Sequence, residues 1–397
     1  MNRISPTDEP TARKLADIAA EAGLRRIHVL AWRDLADVEA GGSEVYVANV
    51  ARLWASAGLE VTMRSSQAQG HRAVAVRDGY RVIRRAGRYA VFPHAAWDEL
   101  TARYGANDGL VEIWNGMPFF SPAWHRGPRV ALVHHAHTAM WPLVLPPSWA
   151  RVGDLIERRI APRVYCRTGI VTVSPSSKRE LVQTLGLRAD RITVVPPGLA
   201  DRFAPGGSRS PTPLALAVGR LVPVKRFDRA IRLAAAVRRR VPGFHLVIVG
   251  DGYVRPDLEQ RVDELGAGEA VTLAGRVRDD ELVELYRRAW VVVSTSAAEG
   301  WGMSITEAAA CGTPAIATRI TGHVDAVVDG HTGVLVDGER LDHMVDAVVA
   351  LVNDDVRRAR LGANALQRAA QFTWSHTAVE LLHALADDAI RRRRPRS

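Results

Sequence analysis

The chain has 397 residues, 47% hydrophobic and 24% charged, with a formal net charge of +10. That length exceeds what one ordinary core supports, so two domains are expected. No apolar run approaches the roughly 20 residues that span a bilayer, and the polar opening Met1–Pro10 lacks a signal-peptide core, so a cytoplasmic chain is expected. Cys166 and Cys311 stand far apart and outside any CxxC pattern, which supports neither a disulfide framework nor a zinc site. The charge has two readings: attraction to phosphates, nucleic acid or an anionic membrane, or compositional bias towards Arg and Ala. Only Lys14, Lys178 and Lys225 are lysines, which draws attention to Lys225.

Along the chain, short apolar runs alternate with amphipathic stretches, the pattern of βα units and parallel sheets. A first strand is predicted over Arg26–Ala31, then a loop over Trp32–Gly42. A helix follows from Ser43 to Ala57, with Ser43 as its cap and Gly41-Gly42 before it. Further strands are predicted over Leu110–Trp114, Arg129–His134, Gly169–Ser174 and Ile192–Val195. Pro205–Pro213 reads as a linker, rich in turn residues and without periodicity. The alternation restarts beyond it. Strands are predicted over Leu214–Val218, His245–Val249, Val271–Ala274, Trp290–Ser294, Pro314–Thr318 and Gly333–Val336. The intervening helices cover Arg226–Arg240, Arg255–Leu265, Asp279–Ala289 and Ser304–Cys311. Three more helices follow, Leu341–Val352, Val356–Gln371 and Ser375–Arg392, and the chain ends in the basic run Arg391–Arg396. That run reads either as a contact for anionic lipid or as a solvated tail. Two doubly wound domains bind ligands at the C-terminal ends of their strands.

The sequence has no GxxxxGK[ST] loop, no GxGxxG after a strand, no GxSxG elbow and no Asp-x-Asp pair, which weighs against P-loop, dehydrogenase, serine-hydrolase and metal-diphosphate chemistry. Several features suit a diphosphate held without a metal. Gly219-Arg220 and Lys225 follow a strand and lead into a helix, so both cations reach one anionic ligand or are simply surface charges. Glu299-Gly-Trp-Gly-Met-Ser-Ile-Thr-Glu307 lies between a strand and a helix. Gly300 and Gly302 permit a tight backbone, and the helix start favours phosphate. Glu307, near the helix start, suits the vicinal hydroxyls of a ribose, or only complements the helix dipole. His134, His135 and His137 cluster at a strand end, but no carboxylate or cysteine nearby has metal-ligand spacing.

The Glu299–Glu307 stretch resembles the E-x7-E motif of family 4 of the retaining glycosyltransferases, which have the GT-B fold. The resemblance extends to Gly219-Arg220…Lys225, Val249-Gly-Asp-Gly252, Ala310–Ala317, Asp329–Gly333, Val195-Pro-Pro-Gly198…Phe203 and Phe372-Thr-Trp374. It implies an α/β chain of two Rossmann-like domains facing across a cleft. Residues 1–24 are then an N-terminal extension and 25–207 the acceptor-binding domain. Residues 208–372 form the nucleotide-sugar-binding domain, and 373–397 a helix crossing back to the first domain. The resemblance places Glu299 at the donor sugar, Glu307 at the ribose and Arg220 with Lys225 at the diphosphate. The backbone of Gly302, Met303 and Ser304 assists. Arg276 and Val277 meet the base, Gly41 and Gly42 approach the diphosphate, and His137 bonds the donor sugar near the reacting carbon. Trp114–Phe120 departs from the usual family sequence and is expected on the acceptor side. Trp32, Trp141 and Trp149, in predicted loops, are candidates there too, while Trp54 lies on an apolar helix face.

The implied reaction is metal-independent, retaining transfer of a hexosyl group from GDP-mannose, UDP-glucose or UDP-N-acetylglucosamine to an acceptor hydroxyl. No cofactor is implied; the nucleotide diphosphate sugar is a co-substrate. The acceptor is a carbohydrate, a polyol or a lipid-linked glycan. Nucleic acid is not an expected partner, and peripheral contact with an anionic membrane fits the basic tail. Other readings are a GT-B epimerase or phosphorylase, and a non-catalytic nucleotide-sugar-binding protein. Base, sugar, acceptor and oligomeric state are left open by the sequence.

Overall fold

The computed structural model describes residues 9–138 and 140–393, so the very start of the chain and the end of the basic run, Arg394–Arg396, lie outside the described residues. The chain divides into two compact units: residues 1–198 with 374–397, and residues 199–373.

The first unit holds eight strands: β1 (Arg26–Leu30), β2 (Glu60–Ser65), β3 (Val74–Arg77), β4 (Tyr80–Arg84), β5 (Gly109–Trp114), β6 (Arg129–Val133), β7 (Gly169–Thr172) and β8 (Ile192–Val194). They form one sheet in the order β3-β4-β2-β1-β5-β6-β7-β8. Every pairing is parallel except β3 with β4. β5 and β6 are buried along their whole length, as strands of a sheet covered on both faces are, with Glu112 and Arg129 buried among their apolar residues. Trp54 fills the core between two helices and donates its indole N–H to Ala378 O at 3.0 Å.

Three strands in this unit were not predicted. β2 carries Arg64, which is buried and bonded to Asp98 at 3.2 Å and to the carbonyls of Ser65 and Arg85, so a core position looks polar in the sequence. β3 and β4 form a hairpin whose turn residues Asp78 and Gly79 have φ of 46° and 89°. An Asp-Gly pair between alternating segments is a strong hairpin signal and would have found it. The stretch assigned to an N-terminal extension contains a helix, Glu9–Ala22, which buries Leu15, Ile18, Ala19 and Ala22 at helical spacing. The helix after β1 spans Gly42–Ser56, and Gly41, not Ser43, is its N-cap. Glu44 closes the start by accepting from the Gly41 N–H at 2.8 Å.

The second unit has β9 (Leu214–Val218), β10 (His245–Val249), β11 (Val271–Gly275), β12 (Val291–Ser294), β13 (Ala315–Thr318) and β14 (Gly333–Val336). Their order is β11-β10-β9-β12-β13-β14, all parallel. Helices Phe227–Arg240 and Leu341–Val352 bury Ile231, Leu233, Val345 and Val348 in one core. The boundary falls at 198/199 rather than at the predicted linker. Arg209, within that linker, donates to the carbonyls of Arg287, Ala289 and Gly312, where helix Asp279–Arg288 and its successor end. Trp290 donates its indole N–H to Ser210 O at 2.8 Å. Turn-rich composition therefore marks a strapped segment of the second unit.

Helix Trp374–Arg393 belongs to the first unit. Its last arginines are engaged: Arg391 and Arg392 pair with the buried Asp388, and Arg393 donates to the Ala22 carbonyl. Cys166 and Cys311 are free thiols.

Candidate functional site

In the second unit the strand order reverses between β9 and β12, and the segments leaving these neighbouring strands carry the predicted cations and acid. A topological switch point of this kind is where open α/β sheets bind ligands. The loop from β9 carries Arg220, partly exposed, and ends in a 3-10 turn, Pro223–Lys225. The loop from β12 carries Glu299. The structure brings Lys225 and Glu299 together as an ion pair, with both side chains largely buried. Ser296 Oγ–H donates to Glu299 Oε1 at 2.8 Å. Burial alone would raise the Glu299 carboxyl, but Lys225, His323 and Ser296 outweigh it and hold its pKa down to about 2.

The two loops are fastened to each other. Ala297 N–H donates to Val224 O at 2.8 Å, and Thr295 Oγ1–H donates to Arg226 O at 2.9 Å. On the other side, Gly219 N–H donates to Val249 O at 3.0 Å and Leu221 N–H to Asp251 O at 2.9 Å. Here the glycines of Val249-Gly-Asp-Gly252 have a use. Gly250 has φ of 137°, and a Cβ on it would stand 1.9 Å from Gly219 O. Arg220 thus sits on a backbone laid directly against its neighbour.

Gly302, at φ of 113°, is the N-cap of helix Met303–Ala310, one residue earlier than predicted, so Met303 and Ser304 form its first turn. Glu307 lies in its second turn and accepts from Tyr286 OH at 2.8 Å. Burial raises the Glu307 carboxyl, and the Tyr286 hydroxyl offsets part of this. Arg276, exposed, and Val277, half-buried, follow β11.

His323 was not anticipated. It is fully buried against the site loop: a Cβ on Gly302 would lie 3.1 Å from its ring. Its Nδ1 faces Thr318 O at 2.9 Å and its Nε2 faces Ser294 Oγ at 3.2 Å. Burial lowers its pKa against the pull of Glu299, and because the Thr318 carbonyl can only accept, Nδ1 carries a proton and donates to it. The chain position of His323 gives no local motif from which to read this.

In the first unit the order reverses between β1 and β5. Gly41 and Gly42 start the helix after β1, and a depression beside them is lined by Trp32, Arg33, Ser43, Glu44 and Asn115. Trp32, in its loop, donates its indole N–H to Arg88 O at 2.6 Å, with the Arg33 guanidinium 4.6 Å from its ring centroid. Trp141 and Trp149, expected in loops, lie in helices Trp141–Val144 and Pro147–Leu155. Trp114–Phe120 is anchored by the buried Glu112, which accepts from Phe119 N–H at 2.7 Å and Ser121 N–H at 3.2 Å.

The histidine segment after β6 sorts into distinct roles. His134 packs its ring edge-on to Tyr46 at 5.7 Å, and burial and His135 lower its pKa to about 3. His135 and His137 stack at 4.4 Å. Among the described residues no group of three or more His, Cys, Asp or Glu is arranged around one point to hold a metal ion.

Two α/β units, each with a strand-order reversal whose adjoining loops carry predicted residues, Gly41 and Gly42 in the first and Arg220, Lys225 and Glu299 in the second, have the GT-B architecture. The model for Glycosyltransferase Family 4 matches residues 40–202, and that for Glycosyl transferases group 1 matches residues 201–368. The D-inositol 3-phosphate glycosyltransferase of Acidothermus cellulolyticus is 35% identical over 90% of this chain and 87% of its own length. That of Nocardia farcinica is 36% identical over 64% of this chain, and the match spans only 61% of that relative's length. Among solved structures, sucrose-phosphate synthase of Thermosynechococcus elongatus superposes with a TM-score of 0.77 at 21% identity, covering 90% of this chain and 97% of that one. The Anabaena protein HepE, solved with UDP and glucose, superposes with a TM-score of 0.69 at 18% identity, covering 93% and 100%. The chain belongs to the family 4 glycosyltransferases. Among the described residues no helix is long and apolar enough to cross a membrane.

Proposed function

We propose that the protein transfers a hexosyl group from a nucleotide diphosphate sugar to an acceptor hydroxyl with retention at the anomeric carbon. The observation that carries this reading is the Lys225–Glu299 pair, set on adjacent strand ends at the switch point with Arg220 on the same loop as Lys225. A buried, compensated cation and carboxylate beside a helix start form a site for a ligand carrying both phosphate and hydroxyl groups. The UDP-bound neighbour HepE supports a nucleoside diphosphate as the donor's leaving group.

In this reading Arg220 and Lys225 stabilise the charge on the departing diphosphate, with Gly302, Met303 and Ser304 adding backbone N–H groups. Glu299 holds the sugar hydroxyls, Glu307 the ribose, Arg276 and Val277 the base. Gly41 and Gly42 approach the diphosphate, and His137 bonds the sugar. The acceptor oxygen attacks the anomeric carbon on the face the phosphate leaves, and the phosphate oxygen takes the acceptor proton. No metal is needed, because the two cations fill that role. Relatives named for inositol phosphate favour a polyol among the acceptor classes. A cytoplasmic location accords with this chemistry.

A thermal-shift screen against UDP, GDP and ADP and their sugars tests the reading, since a ligand that binds only the native state raises its stability. One nucleotide family should stabilise the protein, and its sugar should turn over with acceptor in the presence of EDTA. Loss of turnover in EDTA, restored by a divalent ion, would refute the metal-free site. Conversion of the nucleotide sugar without acceptor would indicate epimerisation instead.

A further inference from the structure

The loop bearing His137 is held by a carboxylate 20 residues further along the chain. Glu157 is completely buried. Its Oε1 accepts from the His137 backbone N–H at 2.8 Å, and its Oε2 accepts from the Trp141 indole N–H at 3.0 Å. Trp141 in turn packs tightly: a Cβ on Gly116 would stand 3.0 Å from its ring, and one on Gly153 would stand 2.8 Å from it. The Trp141 ring also lies 5.9 Å from the His137 ring, centroid to centroid. The chain closes on itself here, as the backbone N–H groups of Met140 and Trp141 both donate to His137 O.

Glu157 sits in a single π-turn, Ile156–Ile160, in an otherwise α-helical run from Pro147 to Val164. A π-turn inserts one extra residue and re-aims the side chains around it; such turns are frequent at functional sites. A second, half-buried carboxylate backs the first. Glu180, on helix Pro175–Leu185, is stabilised by the Ala136 backbone amide, and its Oε2 is buried without a hydrogen-bond partner. Consecutive amides of the histidine loop, Ala136 and His137, therefore face two carboxylates from two different helices.

We propose that Glu157, set by its π-turn and backed by Glu180, is the positioning residue that fixes the His137 loop for glycosyl transfer. The proposal rests on the reading that His137 meets the donor sugar. Each oxygen of Glu157 accepts one N–H, so a proton added to either one weakens it as an acceptor and loosens a bond that holds the loop. The charged groups facing it are Asp154 on its own helix and Glu180 behind it, while His137 meets it through its backbone N–H. Burial raises the Glu157 carboxyl to about 7 against the pull of His137 N–H and the Trp141 indole, so this bond pair changes near neutral pH.

The test uses the full-length protein with Glu157→Gln, Glu157→Asp and Trp141→Phe. Trp141→Phe removes one of the two bonds and keeps the His137 anchor. Amide hydrogen exchange is read for the peptide spanning His134–Trp141, alongside UDP affinity and kcat for the nucleotide sugar that stabilises the wild type most. Glu157→Gln should speed exchange in that peptide and lower kcat about 10- to 100-fold, the scale of a misplaced catalytic group, while UDP affinity stays at the wild-type value. Trp141→Phe should move exchange less than Glu157→Gln does. A purely structural role would lower UDP affinity and kcat together with the melting temperature, and would overturn the proposal, as would Glu157→Gln with unchanged exchange and kcat. If Glu157→Gln does not fold, Glu157→Asp is read by the same criteria, since its shorter arm also releases the loop. A wild type that turns over no nucleotide sugar refutes the functional reading, and the exchange comparison still judges the anchor.

Discussion

Gly250→Ala is the sharpest probe of how the second unit builds its site. The new Cβ would lie 1.9 Å from Gly219 O and 2.9 Å from Gly219 C, both backbone atoms that no rotamer change can clear. Alanine also resists φ of 137°, at a cost of about 1–3 kcal/mol. To relieve the contact the segment after β9 must move away from that after β10. That motion strains the bonds from Gly219 N–H to Val249 O and from Leu221 N–H to Asp251 O, each worth about 1 kcal/mol net. The sum is about 3–5 kcal/mol, which for a unit of this size lowers Tm by roughly 8–15 °C. Because Arg220 lies between the displaced residues, UDP affinity should fall with it. Gly266→Ala is the control: φ is 57° there, but nothing lies within 4 Å of the new Cβ. It should cost only about 1 kcal/mol, from backbone strain alone. Calorimetry and a nucleotide titration on both variants check this. If Gly250→Ala melts with Gly266→Ala and binds UDP like the wild type, the close backbone contact does not shape the site.

The acid side of stability should report Glu299. Its folded pKa of about 2 lies below the ordinary carboxyl value of 4.5, so the stability it contributes is complete above pH 4.5 and is lost as pH falls towards 2. Urea unfolding of Glu299→Gln should lack about 3 kcal/mol of that acid-side loss. Glu157 has the opposite sign: its folded pKa of about 7 exceeds 4.5, so the folded state binds more protons and loses stability as pH rises from 4.5 to 7. Glu157→Gln should flatten the urea midpoint across that window, and an unchanged slope would refute the assignment. Trp141→Ala should weaken acceptor binding and turnover, and equal kinetics would remove that residue from the acceptor side.

The second unit was legible because each of its strands is a short apolar run between amphipathic helices, and because Arg220, Lys225 and Glu299 sit at strand ends where such folds bind ligands. The first unit was harder because it hides charge in its core. Arg64, Arg84, Asp34 and Asp98 are buried and mutually paired, so β2 and β4 break the apolar pattern they serve. The helix Glu9–Ala22 was missed although its apolar spacing was present, and the Asp78-Gly79 turn was overlooked. Supporting groups at the site were illegible for a different reason. His323 meets Ser294 across 29 residues, and Glu157 meets His137 across 20, so only folding makes them neighbours.

The unit boundaries also set the order in which the protein can be completed. Residues 199–373 are an insertion within the first unit, and its two ends meet as a bridge between Leu199 and Thr373. The first unit gains its final helix, Trp374–Arg393, only after the whole insertion has been synthesised. Until then Trp54 has no Ala378 carbonyl and Arg129 N–H no Asp388 carboxylate. On the ribosome, where domains fold as units in the order they emerge, the second unit can therefore be finished while the first is still waiting for its closing helix.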